Sequence, residues 1–255
     1  MGAIVSALPV KRGERLFVEL AAGAEAIRSA QALRYRVFGQ ELGAKLKPGQ
    51  TGLDVDEFDD HCHHLLVRET SSGEVVGCTR LLNSNDARRL GRWYSQGEFD
   101  LGLIPSLPGR LLEVGRTCVA AEYRQGSAIA VLWSGIAGYI QLHSIDYLFG
   151  CASVPLGEHD YQAAAIMNRL RRQAMAPSDL RVIPRAPLLH SNLPEQVLDA
   201  PLPALLKAYV RVGAKACGEP CRDLDFEVGD VLMLLDVNQL NPAYARHFLE
   251  RVSEH

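Results

Sequence analysis

The densest set of chemically capable side chains lies in the stretch DVDEFDDHCHHLLVRE, residues 54–69. Aspartate, histidine and cysteine are the residue types that bind divalent metal ions. A zinc site, however, needs four ligands that converge tetrahedrally. His61 and His63 would lie on one face of an extended strand, with Cys62 and His64 on the other, because successive side chains alternate. We therefore expect no metal site here, and we expect the histidines to begin a strand.

The aspartates that precede the histidines fall in a polar loop, and two of them, Asp56 and Asp59, could face a substrate. Two interpretations stay open at this point. The loop could be a solvated acidic surface, or its carboxylates could pair with the ammonium groups of an amine substrate.

Glu113 stands in the otherwise apolar run RLLEVGRTCVA, residues 110–120. A carboxylate is rarely buried without a partner, so it either pairs with Arg80 or Arg116 or serves as a general base for an amine. Residues 113 and 116 would point to opposite faces of a regular strand. Gly115 between them would permit a bulge, which would also turn a backbone N–H toward an oxyanion.

The next candidates follow directly along the chain. Cys118 could form an acyl-cysteine, but no histidine lies nearby in a recognisable arrangement, and an amine can attack a thioester directly. After this strand the turn RQGSAI begins at Arg124 and leads into a helix. Backbone N–H groups at such a turn suit phosphate or pyrophosphate.

Secondary-structure patterns place these residues on a mixed sheet. Apolar runs and periodicity predict six strands, at Arg15–Ala21, His63–Glu69, Glu74–Leu82, Arg110–Ala120, Asp146–Val154 and Asp230–Val237. The helical period predicts five helices, at Ala24–Leu42, Arg124–Leu142, Tyr161–Met175, Leu205–Cys217 and Asn241–Val252. The order indicates an α/β fold with helices on both faces of the sheet, in which Leu111–Val119 and Tyr147–Ser153 are neighbouring strands.

Composition excludes several other classes of protein. The chain has 255 residues, 47% of them hydrophobic, and a formal charge of −3, which argues against bulk nucleic-acid binding. The cysteines lie mostly in apolar runs, as free thiols do in a reducing cytoplasmic compartment. The apolar run Ala128–Ile140 is too short for a membrane span, which needs about 20 residues, and is expected to be a buried core helix.

Four short motifs resemble those of the acyl-homoserine-lactone synthases, a branch of the GNAT acyltransferase superfamily. They occur in the same order here, as RYRVF (Arg34–Phe38), DEFD (Asp56–Asp59), TRLL (Thr79–Leu82) and EVGR (Glu113–Arg116). The resemblance implies a GNAT-like fold with a splayed mixed sheet.

The sequence is also similar, from about Ala24 to Leu249, to the bacterial L-ornithine Nα-acyltransferases of ornithine-lipid synthesis. The segments that carry this similarity are RWYSQGEFDL (Arg92–Leu101), LEVGRTCV (Leu112–Val119), YRQGSAIAVLW (Tyr123–Trp133), LLKAYVRVGAKACGEP (Leu205–Pro220) and YARHF (Tyr244–Phe248). The resemblance implies transfer of a 3-hydroxyacyl chain from acyl carrier protein to the α-amine of ornithine, giving lyso-ornithine lipid. It implies no cofactor beyond the phosphopantetheine thioester of the carrier protein.

Roles for individual residues follow from these motifs. The implied catalytic residues are Glu113 and Arg116. The implied substrate-binding residues are Arg34, Phe38, Asp56, Asp59 and Arg80. The implied acyl-thioester and phosphopantetheine-binding residues are Cys118, Val119, Arg124, Gly126 and Ser127. For the three motif arginines, bidentate binding of a carboxylate and internal ion pairing stay open as alternatives.

The sequence departs from the lactone synthases in two places. A tryptophan that they carry after the R-x-x-x-F segment is absent, which counts against S-adenosylmethionine as substrate. The pyrophosphate loop Q/R-x-x-G-x-G/A is imperfect, because its glycine, Gly126, comes one place early. Acylation of another amino acid, lactone synthesis and a non-catalytic thioester- or lipid-binding module therefore remain alternatives.

The remaining expectations concern organisation and partners. We expect a single acyltransferase domain over residues 1–255, with a flexible segment at about 1–14 and a C-terminal helix–strand–helix extension at about 205–255. A basic set could dock the acidic carrier protein or form a solvated helix face: Arg169, Arg171, Arg172, Arg181 and Arg185. We expect a cytoplasmic protein with no nucleic-acid partner, and peripheral contact with the inner membrane through its lipid product.

Overall fold

Ten strands and five α-helices form within residues 15–46, 52–188 and 200–240, which the computed structural model describes. They group into two compact units. The described part of unit 1 comprises residues 15–46, 52–90 and 114–144, and that of unit 2 comprises residues 91–113, 145–188 and 200–240. The expectation of a single domain stays a prediction.

Unit 1 is a sheet between helices. Its elements are β1 (Leu16–Leu20), α1 (Ala24–Arg34), a π-helix (Tyr35–Glu41), β2 (His63–Glu69), β3 (Val75–Asn83), α2 (Ser84–Leu90), the last six residues of β5 (Leu111–Val119) and α3 (Ala128–His143). Strand β2 pairs antiparallel with β1 on one side and with β3 on the other, and β3 neighbours β5.

The side chains of strand β2 contact other elements on both faces of this sheet. His63 lies 2.9 Å from the hydroxyl of Tyr139, which is on α3. His64 instead lies 3.0 Å from the carbonyl oxygen of Asp59, whose carboxylate binds α1. Neighbouring histidines thus point to opposite faces, as strand geometry requires. Helix α3 is largely buried, as predicted for this run, and a Cβ on its Gly135 would lie 2.6 Å from Val18 Cγ2 of β1.

Unit 2 is built around a long antiparallel pair. Its elements are β4 (Phe99–Asp100), the first three residues of β5, β6 (Tyr147–Pro155), α4 (Tyr161–Gln173), β7 (Ile183–Pro184), α5 (Ala204–Val212), β8 (Lys215–Ala216), β9 (Cys221–Asp223) and β10 (Val228–Asp236). Strand β10 pairs antiparallel with β6 along its whole length and with β8 and β9. Strand β5 pairs in parallel with β6, which confirms the predicted neighbours.

The predicted strands, the mixed α/β class and most of the helices are confirmed. The helix predicted at Leu205–Cys217 is wrong in its second half. It ends at Val212 because Gly213 takes a left-handed conformation with φ +112°, and Lys215–Ala216 then joins β10 as a strand. Helix α3 begins at Ala128, four residues later than predicted, because residues 124–127 form a turn. The last predicted helix and the YARHF segment lie outside the described residues.

Candidate active site

Six charged side chains from four segments of unit 1 meet as an arginine–aspartate cluster. Its members are Asp54, Asp56, Asp59, Arg34, Arg80 and Arg116. Arg34 Nη1 donates to Asp59 Oδ1 at 2.9 Å, and its Nε donates to Asp54 Oδ2 at 2.9 Å. Arg80 Nη1 donates to Asp59 Oδ1 at 2.9 Å and to Asp56 Oδ1 at 2.5 Å. The polar loop before β2 is therefore fastened to α1 and β3.

The electrostatics of the cluster are balanced, with three cations facing three anions. Burial alone would raise the pKa of Asp59, but the hydrogen bonds and charge of Arg34, together with the charge of Arg80, hold it well below its usual value. Burial lowers the pKa of Arg80, but the charge of Asp56 and other contacts outweigh it and leave the pKa raised. Asp59 and Arg80 are therefore ionised at neutral pH.

Burial bears on the substrate-binding role predicted for three of these residues. The side chains of Arg34, Asp59 and Arg80 are only 1–3% exposed, and each is bonded to others in the cluster. Direct contact with a substrate stays a prediction, and this arrangement argues instead that they hold the loop in place. Asp56, bonded to Arg80, is also largely buried.

Sequence reasoning assigned no site role to three polar residues that bond within or beside the cluster. Asp54 accepts from Arg34, and Gln31 Nε2 donates to Asp59 Oδ2 at 2.9 Å. Gln31 lies three residues before Arg34, a spacing that shares a helix face and could have revealed it. His64 is 3% exposed, and burial lowers its pKa, so a neutral ring donates to the Asp59 carbonyl.

The backbone of strand β5 breaks from extended geometry at Arg116, one residue after the glycine at which the sequence would permit a bulge. This residue has φ +50°, while Gly115 is not in the left-handed region. The Arg116 guanidinium lies 3.9 Å from Asp54 Oδ2, 3.8 Å from Asp56 Oδ2 and 5.8 Å from the centre of the Phe38 ring. Phe38 is itself buried, so its predicted contact with a substrate stays a prediction.

The residues predicted to bind the acyl thioester are gathered from the end of β5 to the start of α3. Arg124 Nε donates to the Val119 carbonyl at 3.0 Å, and its Nη2 donates to Glu41 Oε2 at 2.7 Å. Gly126 N donates to the Tyr123 carbonyl, and Ser127 is the N-cap of α3. The first N–H groups of a helix have no partner within it, which suits phosphate.

Cys118 has an environment that keeps its thiol neutral. Its Sγ lies 3.6 Å from Cys78 Sγ, and the hydrogen bond with Cys78, followed by burial, raises the pKa of Cys118. A protonated thiol is a poor nucleophile. The structure therefore argues against an acyl-cysteine intermediate.

Glu113, in unit 2, anchors a turn. Its carboxylate accepts from the backbone N–H of Tyr94 at 2.7 Å, from that of Ser95 at 2.7 Å, and from the Ser95 hydroxyl. The side chain is 3% exposed. Hydrogen bonds from backbone N–H groups favour the charged form of a carboxylate and make it a weaker base. The general-base role stays a prediction, and these contacts count against it.

A second acidic group lies in unit 2. Oxygen atoms of Glu98, Asp223 and Asp230 lie within 4.8 Å of one another, and Cys151 Sγ lies 3.4 Å from Glu98 Oε2. Burial, and then the charge of Asp230, raises the pKa of Glu98 to about 8. Asp230 interrupts the apolar run of β10, a signal that sequence reasoning did not use.

Glu98→Gln is expected to flatten the pH dependence of stability. The folded protein keeps a proton on Glu98 that an unfolded glutamate releases above about pH 4.3. Stability therefore falls as pH rises from there and levels off above the folded pKa of about 8. We expect the melting temperature of the variant to fall less than that of the wild type between about pH 5 and pH 8. Glu158→Gln, with an 87% exposed side chain, is the control, and an equal slope in all three proteins would contradict the assignment.

Comparison with known proteins places this chain in a family. Residues 33–134 match the acetyltransferase (GNAT) domain. An L-ornithine N(alpha)-acyltransferase of Rhizobium meliloti (strain 1021) is 35% identical over 249 residues, covering 91% of this chain and 84% of that protein. One from Rhodobacter capsulatus is 34% identical, covering 92% of this chain and 95% of that protein. The chain belongs to the L-ornithine N(alpha)-acyltransferase family.

Solved structures agree on the fold of this acyltransferase. An N-acyl amino acid synthase from uncultured soil microbes superposes with a TM-score of 0.55 at 10% identity, covering 94% of this chain and 98% of that one. A CoA-dependent acyl-homoserine lactone synthase superposes with a TM-score of 0.53 at 14% identity, covering 94% and 90%. The GNAT-like fold implied by the sequence motifs is confirmed.

Family membership fixes the broad class of the protein. The chain is an acyltransferase enzyme, as predicted. Within the part of the chain that the structure describes, no helix has the length and apolar character to cross a membrane.

Proposed function

We propose that this acyltransferase moves a 3-hydroxyacyl chain from acyl carrier protein to the α-amine of L-ornithine, giving lyso-ornithine lipid. The assignment of ornithine as the substrate rests on one observation. Four relatives, each 32–35% identical over about nine-tenths of this chain, are named for ornithine. The carrier-protein donor and the lipid product come from the sequence resemblance.

The reaction removes two protons from the amine nitrogen and stabilises one negative charge. The α-ammonium gives up its first proton to a base, and the free amine attacks the thioester carbon. As the resulting oxyanion collapses, the C–S bond breaks, and the second proton passes from the nitrogen to the sulfur, so the carrier leaves as a thiol. The thioester supplies the acyl group, so the proposal includes no metal and no further cofactor.

Two carboxylates of unit 2 compete for the role of base. Glu113 was predicted from the sequence, but its carboxylate already accepts from two backbone N–H groups. Glu98 has a pKa raised to about 8, close to the value at which a base works best at neutral pH. We propose Glu98 as the second candidate.

The carrier protein is the proposed macromolecular partner. Of the basic set, Arg171 is bonded to Glu219 at 2.9 Å, and Arg181 and Arg185 donate to main-chain carbonyls. These three and Arg172 are exposed. A docking role for this set, and peripheral membrane contact through the product, are part of the proposal.

An acyl-transfer assay tests the function. The protein is incubated with 3-hydroxyacyl carrier protein and one amine at a time, while free thiol is followed and the product is identified by mass. We expect thiol release with ornithine and a product one acyl chain heavier than ornithine. S-adenosylmethionine, glycine and lysine are the comparison substrates.

Each other outcome has a definite meaning. Thiol release that depends on S-adenosylmethionine would identify a lactone synthase, and preference for another amino acid would change the substrate. Binding of the acyl carrier without turnover of any amine would mark a non-catalytic module. Each of these results would overturn the proposal.

A further inference from the structure

The backbone conformation of Arg116 is unusual for its position. It lies inside the nine-residue strand β5 and has φ +50°. An L-residue other than glycine, asparagine or aspartate rarely takes this conformation, because its Cβ crowds the following carbonyl. Such a residue persists only where its surroundings hold it there.

The side chain of Arg116 supplies that hold. Its guanidinium sits beside the carboxylates of Asp54 and Asp56, at 3.9 Å and 3.8 Å, and over the ring of Phe38. Asp54 is fixed in turn by Arg34 and Asp56 by Arg80. The two carboxylates beside Arg116 are therefore themselves buried and held in place by other arginines.

The main chain on either side of the break is secured separately. The Thr79 hydroxyl of β3 lies 3.2 Å from the Gly115 carbonyl oxygen and 2.7 Å from the Thr117 hydroxyl. The Gly115 carbonyl thus accepts from the Thr79 side chain, whereas in a regular β-ladder it would accept from a backbone N–H. A break of this kind changes the direction of the neighbouring peptide groups.

We propose that Arg116 is a positioning residue: its guanidinium, held by Asp54 and Asp56, fixes the left-handed break in β5 and thereby the peptide groups of Gly115–Thr117 that support acyl transfer. Asp54 is a second positioning residue, which acts through Arg116. The inference rests on the proposed function. It replaces the prediction that Arg116 holds a substrate carboxylate.

Three substitutions of Arg116 separate the two roles. Glycine takes φ +50° without a side chain to hold it, whereas alanine favours the extended conformation. Lysine keeps the charge but not the planar fork. For positioning, we expect Arg116→Ala to lower kcat by about 10²-fold, the effect of misplacing reacting groups by about 1 Å. Arg116→Gly should be at least about tenfold more active than Arg116→Ala, with the KM for ornithine similar in both.

A substrate-binding role gives a different pattern. Loss of the guanidinium would then raise the KM for ornithine equally in the glycine and alanine variants, and lysine would partly restore it. That result would overturn the inference. If Arg116→Gly does not fold, as judged by its melting curve, Arg116→Asn takes its place, because asparagine also tolerates the left-handed region.

Asp54 is tested in the same assay by a double-mutant cycle. Asp54→Asn should lower kcat per folded molecule in the wild type and have little further effect in Arg116→Gly, because that variant no longer needs the anchor. Additive effects would remove Asp54 from the positioning role. A wild-type protein inactive on ornithine would instead refute the proposed function, so the two failures are distinguishable.

Discussion

Replacing Asp59 by asparagine is expected to lower the free energy of unfolding by about 3–5 kcal/mol, the usual effect of removing one partner from a buried ionic network. The Asp59 carboxylate is 2% exposed and accepts hydrogen bonds from Gln31, Arg34 and Arg80. Asparagine has the shape of aspartate but no charge. The buried guanidinium groups of Arg34 and Arg80 therefore lose one of the carboxylates that neutralise them. Thermal and denaturant unfolding measure the change.

Asp59 also makes the free energy of unfolding depend on pH in the acidic range. The folded pKa of Asp59 is depressed, so its contribution is complete above the unfolded value of about 3.9 and is lost as pH falls through the folded pKa. The difference between wild type and Asp59→Asn should therefore be constant near neutral pH and shrink below about pH 4. Asp60→Asn, an exposed neighbour on the same turn, is the matched control. Equal stability of the two variants at neutral pH would refute the buried-network argument.

Glu113→Gln is expected to lower the free energy of unfolding by about 1.5–3 kcal/mol, because it removes hydrogen bonds to a charged acceptor. The amide has one acceptor atom and one donor group, but both carboxylate oxygens of Glu113 accept from N–H groups. One backbone N–H therefore faces an NH₂ group. The melting temperature and the turnover per folded molecule are measured on one preparation across a pH series.

Turnover decides whether Glu113 is also the base. An anchor alone leaves turnover per folded molecule within about tenfold of the wild type, whereas a lost general base costs about 10²–10⁴-fold and is partly rescued at high pH. From its contacts we expect the first result. The second, with the exposed Glu122→Gln variant unaffected, would restore Glu113 as the base and weaken the case for Glu98.

The fold was largely predictable because its signals are local. Apolar runs marked the long strands, and the helical period marked most of the helices. The short strands β4, β7, β8 and β9 were not predictable in this way. Each has two or three residues, and pairing with a partner strand, rather than its own sequence, makes it a strand.

The candidate site was predictable in part of its membership but not in its contacts. The motifs named Asp56, Asp59, Arg80 and Arg116, which the structure brings together. Whether an arginine faces a substrate or a neighbouring aspartate depends on where residues 54–59, which precede β2, are held. Their position is set by several long-range bonds that no local pattern encodes.

The π-helical segment Tyr35–Glu41 bears on how relatives of this chain should be aligned. Its wider turn, seen in the bond from Leu42 N to the Val37 carbonyl, advances by a smaller angle per residue than an α-helix. Arg34 and Glu41, seven residues apart, would share one face of a regular helix. Here Arg34 is buried while Glu41 reaches the exposed Arg124. A relative with one residue fewer in this segment can therefore keep both ends of the helix in register, and its alignment gap belongs inside the helix.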